Sequence, residues 1–284
     1  MRGWHIALII VMVLWGGAPA GAAEAAAVTY HVRPLISLII DDLGEQTAAT
    51  QSALALPGRF NCAFLPFGEQ VVELASLAHA RNKEVMLHLP MEARKRRRLG
   101  ERALTRDMTA DEIRQVVQQG LTLIPHVRGI NNHMGSLLTT MPEIMNPLMN
   151  TLQQHDGRIF FVDSRTTAYS IADATARQFG VPHLARDVFL DDQRSLPAIA
   201  KEFERLLLIA RRHGSAVAIG HPYPETLAYL TLALPLLQER GYELVPVSEM
   251  LQRRQQQTPP QQTPLLLTAH PAPPRTTPAD LSLD

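Results

Sequence analysis

Six side chains on five separated stretches of this sequence belong to types that bind metal ions or move protons. They are Asp41 and Asp42 in "LIIDDLG", His88 in "VMLHLPME", His133 in "INNHMGS", Asp163 in "FFVDSRT" and His221 in "AIGHPYPET". Two imidazoles and one carboxylate from separate loops suit a catalytic zinc site that keeps a position open for water. Neighbouring residues of an extended chain point in opposite directions, so one of the two aspartates can bind a metal while the other faces a substrate. His133 stands among Asn131, Asn132, Gly135 and Ser136, neighbours able to hold a neutral imidazole in one tautomer for a metal. His221 precedes Pro222, which restricts its backbone to an extended shape and holds it as a general acid would need to be held. Asp163 can orient a neighbour or contact substrate, and Arg165 beside it offers a guanidinium fork to an anionic group.

Taken singly, each residue has an ordinary reading. An aspartate after a strand is commonly a cap or turn former, and a histidine such as His88 is commonly half-buried structure. The elements that carry them argue otherwise. Short apolar runs predict strands at Leu35–Ile40, Cys62–Leu65, Val85–Leu89, Ile159–Val162, Ala216–Ile219 and Leu244–Val247, with weaker ones at Arg128–Ile130 and His183–Ala185. Helical spacing predicts Gln70–Arg81, Ala110–Leu123, Pro142–Gln154, Ile171–Phe179, Leu196–His213 and Glu225–Arg240. Thr109 and Glu112 fit a capping box, and Gly214 and Gly241 sit where two helices should stop. Strand alternating with helix implies a parallel sheet clothed in helices, either an open doubly wound sheet or a closed barrel. In both, ligands bind at the carboxyl ends of the strands, and all the polar candidates fall at those ends.

Other motifs point less far. Asp191 and Asp192 in "FLDDQRS" read equally as rim residues of the pocket and as acidic residues leading into the helix at Leu196, and they are left outside the core site. The run Arg94–Arg98 reads as a solvated basic loop that would attract an anionic polymer if it overhung the pocket. Cys62 reads as an inert core thiol.

The whole chain bounds where such a site would work. Residues 1–23 read as an export signal: Arg2, an apolar run Ile6–Trp15, then small residues ending at Ala23. Ten apolar residues are too few to span a bilayer, which needs about 20, so cleavage and no lasting membrane insertion are expected. A periplasmic location follows as an expectation. Removing that segment takes Arg2 and no acidic residue from a balance of 27 basic and 27 acidic, and a near-neutral chain has no general attraction for nucleic acid. One cysteine cannot form an intramolecular disulfide, so the fold rests on its core. Residues 24–251 read as one domain, and 252–284, rich in Gln, Pro and Thr, as a disordered tail with an isolated Leu265–Leu267. No G-x-S-x-G, Walker A, G-x-G-x-x-G or H-E-x-x-H signature is present.

In order, "LIIDDLG", "MLHLPME", "GINNHMGS", "FFVDSRT" and "AIGHPYPET" resemble the divergent polysaccharide deacetylases, relatives of the NodB-type enzymes, over roughly Leu35 to Leu251. The resemblance implies a distorted (β/α) barrel of about seven parallel strands. It also implies a divalent metal, zinc being the expected ion, and hydrolysis of N-acetyl groups on a sugar polymer. It carries general-base work to Asp41, metal binding to Asp42 and His88, and general-acid work to His221. The NodB-type second motif is His-Ser-x-x-His-Pro. Here its second histidine position is Glu92, so His133 is the candidate for the remaining ligand and Glu92 the alternative. The Arg-x-Pro motif has no counterpart. That departure leaves a second expectation standing, a glycan-binding or regulatory protein on a deacetylase scaffold.

Overall fold

A computed structural model describes residues 33–95, 98–100 and 102–257. The export segment, residues 96–97 of the basic run, residues 258–284 of the expected tail and Leu265–Leu267 lie outside the described residues. The chain begins with β1 (Leu35–Leu43), α1 (Thr47–Leu54), β2 (Asn61–Phe64), α2 (Val71–Ala80), β3 (Glu84–Met91), α3 (Ala110–Leu123), β4 (Val127–Met134) and α4 (Pro142–Gln153). It continues through β5 (Phe160–Asp163), α5 (Ala172–Gln178), β6 (His183–Ala185), β7 (Val188–Phe189), α6 (Leu196–His213), β8 (Ser215–Gly220), α7 (Pro224–Ala233), β9 (Glu243–Leu244) and α8 (Val247–Gln257).

All strand pairings are parallel, in the order β6-β5-β4-β3-β2-β1-β8-β7, with β9 added on β1. Arg186 and Asp187 alone separate β6 from β7, and the first bonds β5 while the second bonds β8. Arg186 N–H donates to Asp163 O at 2.9 Å and Asp187 N–H to Val217 O at 2.9 Å, so this broken strand closes the ring. The result is the distorted (β/α) barrel, with the β6–β7 pair sharing one of seven positions around it.

Period-two alternation sorts each strand between two cores. Ile36, Leu38 and Ile40 of β1 pack outward with Leu87, Ile130, Phe161 and Ala218 against the helices. Leu35 and Ile39 point inward with Met86, Phe160, Val162, Val217 and Ile219. Inside the barrel, Val247 and Met250 of α8 join that inner cluster. Val247 N–H donates to Asn61 Oδ1 and Ser248 N–H to Glu84 Oε1, both at 3.0 Å. Because Asn61 and Glu84 begin β2 and β3, α8 lies across the amino ends of the strands.

Three elements depart from the sequence reading. The expected strand Leu244–Val247 shrinks to Glu243–Leu244, and Val247 instead opens α8, which runs past the expected tail boundary at Gln252 to Gln257. The expected helix to Arg240 ends at Ala233, followed by a 3-10 turn that contains Pro235, a residue without the N–H that a helix interior needs. Helix α1 was missed because Thr47–Leu54 is short and buries little beyond Thr50, Ala53 and Leu54. The capping box at Thr109 and Glu112 is formed, and Gly214, with φ 82°, ends α6.

At the rim, β1 bends. Its register against β2 shifts between Ile40 and Leu43, and Asp42 has φ 57°, a left-handed backbone that costs a residue with a Cβ about 1–2 kcal/mol. Met134 and Arg165, at the ends of β4 and β5, are left-handed too. The turn after Asp42 is held by backbone contact, since a Cβ on Gly68 would stand 2.0 Å from Gly44 O.

Candidate metal centre

Five of the six predicted side chains meet at one mouth, four of them through the inward parity of their strands. Asp41, His88 and His221 each stand two residues after an inward-facing residue, Ile39, Met86 and Ile219, and His133 has the parity opposite to the outward Ile130. Asp42 has the outward parity, and the bulge with its left-handed backbone turns it back over the mouth. The expectation that the two aspartates point apart therefore fails, since both carboxylates approach the same imidazole nitrogen. His88 Nε2 is 3.2 Å from Asp42 Oδ1 and 3.6 Å from Asp41 Oδ2.

Three donor atoms converge here. His133 Nδ1 lies 2.9 Å from Asp42 Oδ1 and 3.2 Å from His88 Nε2, and one ligand atom from each of Asp42, His88 and His133 falls within 4.8 Å of the others. Asp42 Oδ1 is buried, and despite these short distances it accepts no hydrogen bond of acceptable geometry. A buried carboxylate oxygen without a hydrogen-bond donor is costly unless a cation meets it. Its two imidazole neighbours turn ring nitrogens toward the same point, a donor set that fits a divalent ion of the zinc type. Glu92, the alternative ligand, faces elsewhere: its oxygens accept from Arg106 Nε and Arg106 N–H, each at 2.9 Å.

Behind the ligands stands Asn131, which the sequence reading noticed without assigning. Its Oδ1 is 2.9 Å from His88 Nδ1, which leaves Nε2 of His88 for the centre. Its Nδ2 donates to Asp41 Oδ1 at 2.8 Å and to Ser164 Oγ at 3.3 Å. One amide thus orients both a ligand and a carboxylate. Asp41 is 3% exposed. Burial pushes its pKa up, and this outweighs the opposing pull of His88 and His221. For Asp42 burial acts in the same direction but loses to the His133 and His88 contacts, which hold it well below the usual carboxylate range.

His221 is locked by a residue the sequence reading left out. Asp191 Oδ1 lies 2.9 Å from His221 Nδ1, while its Oδ2 accepts from His221 N–H at 2.6 Å and from Thr226 Oγ1 at 2.8 Å. The imidazole also stacks on Tyr223, with centroids 5.3 Å apart, and meets the edge of Phe189 at 5.4 Å. Its Nε2 faces the centre, 3.8 Å from Asp42 Oδ2. Burial lowers the His221 pKa, but the Asp191 hydrogen bond and charge, together with the charges of Asp41 and Asp42, more than reverse this, so the net shift is upward.

Asp163 is the candidate that the fold does not bring in. Its parity is outward, and its oxygens accept from Arg165 N–H at 2.8 Å and Ser170 Oγ at 2.7 Å, so it shapes the loop after β5. Asp41, His88, His133, Ser164, Arg165, Arg186 and His221 instead line one cavity of about 410 Å³. Arg94 opens the basic run beside this rim, where its Nε donates to Ser136 O at 3.2 Å.

Comparison with known proteins decides the lineage. Residues 38–251 match the family described as divergent polysaccharide deacetylase. The chain belongs to that family. As a family member it is 35% identical over 211 residues to the uncharacterized protein YibQ of Escherichia coli K12, a match covering 74% of this chain and 63% of that one. It is 32% identical over 238 residues to an uncharacterized protein of Haemophilus influenzae, covering 84% of each. Its fold resembles the crystal structure of an uncharacterized protein from Agrobacterium tumefaciens C58, with TM-score 0.72 and 22% identity over 77% of this chain and 89% of that one. It also resembles a mutant of BA3943, a CE4 family pseudoenzyme with restored enzymatic activity, with TM-score 0.50 and 17% identity over 77% of this chain and 68% of that one. Among the described residues of this deacetylase-family chain, no helix is long and apolar enough to cross a membrane.

Proposed function

We propose that this protein is an exported, metal-dependent hydrolase that removes N-acetyl groups from a cell-envelope polysaccharide in the periplasm. The observation that carries the proposal is the orphaned Asp42 Oδ1, facing two imidazole nitrogens between a buried Asp41 and a locked His221. Asp42, His88 and His133 would hold the ion. Bound there, a divalent metal, zinc in this proposal, polarises the acetyl carbonyl and lowers the pKa of a water from ~15.7 toward ~7.

The remaining work falls to this chain's own side chains. Asp41, held through Oδ1 by Asn131, presents Oδ2 to the centre and takes the proton of the attacking water. Its burial-raised pKa suits that duty, because a base too weakly basic would not accept the proton. His221 stands across the mouth and gives its Nε2 proton to the departing amine. Asp191 keeps the Nδ1 proton in place and so fixes which nitrogen faces the substrate.

Asp191→Asn tests this last assignment. Without the carboxylate, burial lowers the His221 pKa unopposed by its main partner. A general acid must be protonated to act, so the alkaline limb of kcat against pH is expected to move to lower pH. A pH profile unchanged in position would show that Asp191 has no part in the proton transfer.

The function itself is tested by zinc-replenished protein incubated with chitohexaose and with purified peptidoglycan strands, measuring free acetate. Time-dependent acetate release that stops with chelation is expected. No acetate from any N-acetylated glycan, with stoichiometric zinc bound, would overturn the hydrolase and leave the glycan-binding reading.

A further inference from the structure

Among the described residues, four cations without an ion-pair partner line the mouth and its neighbouring cavities. Arg165 and Arg186 line the cavity that holds the centre. Arg194 lines a second cavity of about 710 Å³ that includes Asp42, and Lys201 a third of about 400 Å³ that shares Arg186, Phe189 and Asp192 with the first. Among the described residues, none of these four cations has a carboxylate within ion-pair distance.

Two of them are nevertheless held in place. Arg186 donates from Nε to Ser164 O at 2.6 Å and from Nη2 to Arg165 O at 2.8 Å. Arg194 Cζ lies over the Tyr223 ring, 3.5 Å from its centroid. Carbonyls and an aromatic face orient a guanidinium without neutralising it. By contrast Arg205 closes on Glu202 in the wall of the third cavity, and away from the mouth Arg106, Arg240 and Arg253 close on Glu92, Glu204 and Glu243. The carboxylates facing the three cavities without such a partner are Glu45 and Asp192, besides the pair at the centre. With Asp41 and Asp42 given to the ion of the proposed centre, these four cations stand against two further carboxylates, Glu45 and Asp192, in a cleft where fields are focused.

We infer that the substrate strand is an anionic glycan, carrying a carboxylate or phosphate on the sugar next to the N-acetylated one, with Arg165 and Arg194 reading that anion on either side of the centre. The inference rests on the deacetylase reading for the identity of the sugar at the centre. A planar guanidinium with no resident carboxylate is matched to such a group by paired N–H donors. The cavity holding Asp41 and His221 and the one holding Asp42 and Tyr223 are lined by chain neighbours and by the stacked His221–Tyr223 pair, an arrangement that suits a polymer reaching past the centre.

Calorimetric titration of the zinc-replenished full chain provides the test. The probes are a hyaluronan hexasaccharide, the same hexasaccharide with its carboxylates reduced to neutral hydroxymethyl groups, and chitohexaose carrying 6-phosphates. Hyaluronan is expected to bind about tenfold or more tighter than its reduced form, the ratio one charge-assisted pair supplies. That advantage should shrink with added salt. The phosphate probe shows which anion is preferred. Arg165→Gln with Arg194→Gln should abolish the advantage while zinc content stays stoichiometric. Equal binding of charged and reduced probes, or no binding of either, overturns the inference. Acetate is measured in the same samples: preference for the anion without acetate release sinks the hydrolase reading alone, and acetate release without preference sinks this inference alone.

Discussion

His133→Ala is expected to yield a folded protein that no longer retains stoichiometric zinc after replenishment and dialysis. The substitution leaves Asp42 and His88, two ligands where catalytic zinc sites use three and a water. Glu92 cannot take the place without releasing Arg106, which reaches it through both a side-chain and a backbone N–H. Acetate release should fall to the level of chelated wild type. Metal analysis alongside circular dichroism reads the result, and a variant that keeps one zinc per chain would remove His133 from the ligand set.

Asp41→Asn should show the opposite pattern, with metal kept and turnover lost. Asparagine still offers Oδ1 to Asn131 and fills the same buried volume, so the ligand trio is left standing. What disappears is a carboxylate able to accept a proton, a loss that typically costs general acid–base catalysis about 10²–10⁴-fold in rate. A fall in kcat of that size with unchanged zinc content and little change in KM is expected. Turnover near wild type would mean that another group takes the water's proton.

The comparison of Asp163 with Asn131 shows how much of this centre was legible beforehand. Asp163 ends β5 and Asn131 lies in the second half of β4, each with polar neighbours after it. The alternation in "GRIFFVDSR" places Asp163 on the side of Phe161, toward the helices, while Asn131 and His133 share the opposite parity to Ile130. Applied strictly, period two would have excluded the first and admitted the second. Asp191 was hidden for a different reason. The strand that delivers it, Val188–Phe189, has two residues and only the three apolar residues Val188–Leu190 to announce it, so an aspartate that grips His221 looked like an acidic residue before a helix.

Local chemistry along the chain was enough to determine the alternation of strand and helix, the capping of α3, the family, and the identity of the histidines and aspartates at the strand ends. These depend on side-chain period and on backbone preferences that act over a few residues. Tertiary structure alone decided that Asp42 turns back beside Asp41, that Asn131 holds His88 and Asp41 while Asp191 holds His221, that α8 lies across the far end, and that backbone carbonyls and the Tyr223 ring orient Arg186 and Arg194 at the mouth. Each of these is a contact between segments far apart in sequence or a bend forced by a neighbouring strand, and no local pattern records which distant atoms will meet.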